Sequence, residues 1–266
     1  MKHLILLIVL SGASMASPND PNQKKALGKQ VEEARSRYET RVEIKKKNPA
    51  GKGLDGWYDA HLSWQMAHRE LISPLVAYWM LVEPGDAEFR KLEDEVRRML
   101  KEFQGSDGLR SYFLSQAWKA LADPNVSANH ARALTKLAKP NASVRISDGI
   151  RSFGLTPEPL GWDQQLTYAL GLIRCGKLAT AESEIRKLNA KIPEGNGRLD
   201  YGPEAGDARY RNYLDYRQTC CLLKGLVAKA RKADEEAQRW LLEATMLRED
   251  SFSPEGKLIV AELRGS

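Results

Sequence analysis

The sequence predicts an all-α protein, built of antiparallel helix hairpins stacked into an arc or partial α/α toroid. Two observations carry that expectation. Apolar residues recur at helical steps of three and four through most of the chain, as in Phe89, Leu92, Val96, Leu100 and Phe103. Between these stretches stand short breakers with cap chemistry, such as Pro84-Gly85-Asp86, Asp123-Pro124 and Gly176-Lys177. About nine or ten helices follow from that spacing.

Met1 to Ala16 has the form of a secretory signal peptide. Lys2 and His3 precede the apolar run Leu4–Leu10, and Ser14-Met15-Ala16 supplies a small-x-small cleavage site. The run is too short to span a bilayer, and no later stretch is long enough. The expected location is therefore secreted or periplasmic, with no membrane span and no lipidation cysteine after the run. Three cysteines, Cys175, Cys220 and Cys221, are too few for a disulfide scaffold. One bridge with a leftover thiol is one option, and three small buried thiols the other.

Charge is distributed unevenly. Residues 17–53 hold ten Lys/Arg against five Asp/Glu, and residues 54–266 hold 30 of each. The basic pI thus belongs to an N-terminal arm, and the rest of the chain gives no electrostatic footprint for nucleic acid. Within the arm Leu27, Val31, Ala34, Tyr38 and Val42 form a narrow apolar stripe, and Lys45-Lys46-Lys47 sit where cations suit a helix C-terminus. The arm is expected to be one helix. It either lies across the domain on its stripe or docks on an acidic polymer. Asn48 to Gly53 closes it, which divides the chain into a signal peptide (1–16), a basic helical arm and linker (17–53) and a helical-hairpin domain (54–266).

Gly56–Val82 is the most distinctive stretch, with three of the six tryptophans and two of the four histidines. Wound as a helix, Trp57, Trp64, Leu71, Ile72 and Leu75 share one face, with His61 and His68 in its middle. Pro74 either kinks this helix or opens a new one after Ser73. The His-x6-His spacing separates the two imidazoles by about 10.5 Å along the axis, too far to share one zinc. No metal is assigned. As core residues, both histidines would be bonded to a backbone carbonyl or a tyrosine hydroxyl. As catalytic residues, they would use a carboxylate from elsewhere as proton shuttle.

Helices are expected next over Leu109–Leu121 and Ala128–Ala138, the latter capped by Ser127. Gly149–Pro159 gives no clear pattern. Trp162–Cys175 and Leu178–Ala190 then form one hairpin, and Tyr210–Ala230 with Asp234–Leu247 the next. Gly176, Leu178, Ala181, Ile185, Leu188 and Pro193 stand where a tetratricopeptide repeat places its turn glycine, packing residues and final proline. Gly225, Ala237, Leu241 and Ala244 look similar in the second pair. Over residues 162–247 the chain resembles that repeat, which implies close-packed helix hairpins and a concave face for a partner. The step from Ala181 to Ala237 is 56 residues, where the family steps by about 34. The tail after Ser253-Pro254 is read as a strand or a last helical turn.

Between the hairpins, residues 193–216 carry Asp200, Tyr201, Glu204, Asp207, Tyr210, Tyr213 and Tyr216 in a glycine-rich setting. So long a connection is often functional. Asn129-His130 is similar to the Asn-His pair of helical-toroid polysaccharide lyases, without that family's flanking tyrosine. No Gly-x-Ser-x-Gly elbow, phosphate loop or Cys-x-x-Cys is present, and no cofactor is assigned. Two functions follow. One is a non-enzymatic binding or scaffold module that takes a protein or glycan on its concave face, through Trp57, Trp64, Tyr201, Tyr210 and Tyr213. The other is a polysaccharide hydrolase or lyase using His68, His61 and Asp207, with its site between the 57–79 helix and the 194–216 loop.

Overall fold

The computed structural model describes residues 21–48, 54–102, 107–140, 158–192, 213–248 and 252–265 of the chain. Among them the fold is all-α, with ten helices and no strand. No described helix is long and apolar enough to cross a membrane. The signal peptide, the linker 49–53, the stretch 141–157 and the loop residues Asp200, Tyr201, Glu204, Asp207 and Tyr210 lie outside the described residues. So do the side chains of Trp57 and His61, which stand on the second helix. Two compact units part at Leu92/Glu93, within the third helix.

In the first unit, α1 (Pro21–Lys47) pairs with α2 (Leu54–Trp79). Three contacts fix an antiparallel register. Gly28 passes against the Tyr78 ring, Arg37 Nε donates to Glu70 Oε2 at 3.1 Å, and Lys45 Nζ lies 3.1 Å from the centre of the Trp64 ring. The arm's stripe does the packing, with Val31 and Ala34 buried and Leu27, Tyr38 and Val42 half-buried. Of the two readings of Pro74, the continuous one is observed, since α2 runs through it. Leu71, Ile72, Leu75, Val76 and Trp79 are all buried, as an element apolar around most of its girth requires. The third helix, α3 (Ala87–Glu102), buries Phe89, Leu92 and Val96 of its expected stripe, but it buries Met99 in place of Leu100 and leaves Leu100 half-buried; Phe103 lies outside the described residues.

The second unit continues with α4 (Asp107–Ala122), α5 (Ala128–Ala138), α6 (Glu158–Arg174), α7 (Leu178–Asn189), α8 (Tyr213–Ala230), α9 (Asp234–Leu247) and α10 (Pro254–Arg264). The tail is thus a helix of three turns, begun by the Ser253 hydroxyl accepting from Gly256 N–H and ended by Gly265 at φ +83°. Central to the unit is α6, which touches α4, α5, α7 and α8. No bridge links the cysteines. Cys175, Cys220 and Cys221 are free, and burial pushes the last two thiols up to about 12, so both stay uncharged and unreactive.

The two hairpins α6–α7 and α8–α9 turn by the same device. In the first, Gly176 adopts φ +71°, its N–H bonds Ile173 O at 2.9 Å, and Lys177 N–H bonds Leu172 O at 2.8 Å. In the second, Lys232 adopts φ +61°, its N–H bonds Lys229 O at 2.8 Å, and Ala233 N–H bonds Ala228 O at 3.0 Å. Each is a Schellman cap, and each leads directly into the next helix. Ala181, Ile185 and Leu188 are buried on α7, as are Ala237, Leu241 and Ala244 at the matching places on α9. Gly225 is inside α8, where an added Cβ would lie 3.1 Å from Leu263. The turn position of the second hairpin therefore holds lysine, a residue with a Cβ penalty in the left-handed region. Replacing Lys232 with glycine is expected to stabilise the unit by about 0.5–1 kcal/mol. A thermal midpoint equal to or below that of the wild type would refute this.

Candidate functional site

Two clusters contain the site residues the structure describes, one in each unit. The first surrounds His68, which is fully buried on α2. Its Nδ1 lies 2.9 Å from the Trp64 carbonyl. A carbonyl only accepts, so Nδ1 carries the proton and the neutral imidazole is that tautomer. The Tyr38 and Trp64 rings meet it edge-on, with centres 4.4 and 4.7 Å away. Burial, with a smaller push from the Lys45 cation, lowers its pKa to about 4, against the opposing pull of the Trp64 carbonyl. His68 is therefore neutral at physiological pH and bonded to a backbone carbonyl, the core arrangement. Trp64 is half-buried, with Lys45 over its face. That cation–π contact contributes about 0.5–2 kcal/mol. Tyr38 and Lys45 come from the arm, and no spacing in the sequence links them to His68.

The second cluster lies where α6 and α8 begin. Trp162, on the second turn of α6, is buried. Its ring meets that of Tyr216 edge-on at 5.0 Å and that of Tyr213 at 6.0 Å and 57°. The two tyrosines are three residues apart on α8, so both rings fall on the face turned to α6. The fully buried Tyr216 hydroxyl donates to Asp163 Oδ1 at 2.9 Å, which satisfies a phenol that burial would otherwise strand. Tyr213 and Asp163 themselves are half-buried. The neighbouring polar residues hold the framework. Gln164 donates to Lys139 O, Gln165 to Glu184 O, Gln218 to Ala244 O, and Arg248 to the Asp215 carboxylate. Tyr213 is thus a half-buried ring backed by an indole.

Of the sequence-predicted residues, the structure thus joins Trp64 to His68, and brings Tyr213 onto Trp162 and Tyr216. Trp162 and Tyr216 are partners that the spacing does not reveal, because 51 and 54 positions separate the contacts in the chain from one another. His130 is buried, with Nδ1 2.6 Å from the Ser127 hydroxyl that caps α5, and Asn129 is exposed and accepts from Arg132. No protein-family model, curated protein or solved structure was found to match the chain.

Proposed function

We propose that this is a secreted or periplasmic, tetratricopeptide-like binding or scaffold module, whose hairpins stack in an arc and receive a protein or glycan on the concave face. The observation that carries this reading is the half-buried Tyr213 ring, set on Trp162, whose chain neighbour Asp163 accepts from Tyr216. A tyrosine with two stiff torsions presents large amphipathic area at low entropic cost. The matching Schellman turns of 158–192 and 213–248 favour the repeat-like part of the reading.

The polysaccharide-processing alternative needs a histidine that reaches substrate and exchanges its proton near neutral pH. His68 is enclosed and its pKa lies near 4, which favours the non-enzymatic reading. The test is a peptide and glycan array probed with the mature protein. Wild type is expected to select one ligand class, and Tyr213→Ala to bind it at least tenfold more weakly, a loss of about 1.4 kcal/mol or more, while staying folded with a melting point lowered only by the lost Trp162 contact. Equal binding by Tyr213→Ala, or no selection by wild type, would contradict the proposal.

A further inference from the structure

At the C-terminal end of α1, the contacts with α2 gather around one buried base. Tyr38 and Lys45 of α1 meet Trp64 and His68 of α2, with ring centres 4.4 and 4.7 Å from the imidazole and the Lys45 ammonium 3.1 Å from the Trp64 ring centre. His68 has no solvent-exposed surface. Because Nδ1 already bears the proton given to the Trp64 carbonyl, acid adds its proton at Nε2. From the arm, the Tyr38 ring and the Lys45 cation stand against His68. An imidazolium formed there is desolvated and stands near a like charge. Parting of the two helices returns it to water. Elsewhere along the pair, Arg37 to Glu70 is more than half exposed on both sides and contributes little, while Gly28 against Tyr78 and the buried Val31 and Ala34 supply apolar packing.

The geometry points to an acid-released clasp: protonation of His68 frees the basic helix α1 from α2. Release uncovers Trp64 and the Val31–Ala34 stripe, and makes available a helix with nine Lys/Arg against four Asp/Glu. It does not depend on the ligand proposed above, since all its residues belong to the α1–α2 pair.

Linkage gives the window and the size. Once α1 has left, the imidazole titrates near its ordinary 6.5; in the closed pair it stays neutral down to about 4. The closed form is therefore fully favoured above pH 6.5 and loses stability as pH falls from 6.5 to 4. Between pH 7.5 and pH 4.5 the closed-to-open ratio drops on the order of 50-fold.

Hydrogen exchange by mass spectrometry, corrected for intrinsic rates, tests this on the full chain at a series of pH values from 7.5 to 4.5. In wild type the amides of 21–47 are expected to lose tenfold or more of their protection at pH 4.5, with a midpoint between 4 and 6.5, while those of 158–192 keep theirs. His68→Leu and His68→Gln, which cannot titrate, are expected to keep the arm protected at pH 4.5. An arm equally protected at both pH values in wild type overturns the clasp, as does an equal loss in the folded variants. Should either variant fail to fold, the other and the wild-type midpoint decide.

Discussion

Replacing Arg174 with methionine is expected to destabilise the 93–266 unit by about 3 kcal/mol, because it breaks a bidentate ion pair that is almost out of water. The guanidinium Nη1 and Nη2 donate to the two Glu262 oxygens at 2.8 and 2.7 Å, and the Arg174 side chain is 9% exposed. Its remaining donors reach Leu121 O at 2.9 Å and Ala122 O at 3.4 Å. Those carbonyls end α4 and have no partner within their own helix. One side chain on α6 therefore caps α4 and fastens α10, where Lys229 also donates to the Glu262 carbonyl. Methionine fills similar volume but strands a carboxylate and two carbonyls together. Lysine keeps the charge and loses the fork, so Arg174→Lys should fall between the two. Urea unfolding checks this: the midpoint should drop with an unchanged slope. A midpoint within experimental error of wild type would show that the clamp contributes nothing.

The second large effect belongs to Gly171. A Cβ there would drive into the Thr135 hydroxyl and stand 3.0 Å from its Cβ and 3.3 Å from its Cα. Thr135 cannot swing clear easily, since its hydroxyl donates to Ala131 O and its own Cβ is part of the clash. Helices α5 and α6 can approach this closely because residue 171 has no side chain. Gly171→Val is expected to cost about 3 kcal/mol by overpacking. Gly171→Ala should cost less, because alanine regains about 1 kcal/mol of helix propensity. Combining Gly171→Ala with Thr135→Gly removes the clashing atoms, so the double variant should be at least 1 kcal/mol more stable than additivity predicts. Strict additivity would mean that the close approach is not what glycine provides.

Local physics was legible in the sequence, and long-range partnership was not. The ends of the two hairpins of 158–192 and 213–248 fall within four residues of those the sequence predicts, because Gly176, Ala181, Ile185 and their counterparts repeat a short-range pattern. The same pattern hid the second turn, since Lys232 carries a conformation for which glycine is the usual signal. Gly171 reads as one more small residue in Ala169-Leu170-Gly171-Leu172; only Thr135, 36 positions earlier, gives it a reason. In sequence the tail fits strand and helix equally, because a run as short as Leu258–Leu263 supports either. Contacts with α8 and α9 hold the helix. At the candidate site, the aromatic character of Tyr213 was visible and its seat on Trp162 was not. His68 shows the converse. Its place on an apolar face announced burial and a carbonyl partner, while the Lys45 cation that completes its surroundings arrives from α1.

Isothermal titration calorimetry with the ligand class chosen by the array tests most directly whether the protein binds without chemistry. The account predicts discrete heats that return to the original baseline after each injection and saturate at a fixed stoichiometry, with the heats diminished in Tyr213→Ala and retained in His68→Gln at pH 7.5. A sustained power offset that grows with each injection and disappears in His68→Gln would be turnover, and would contradict it.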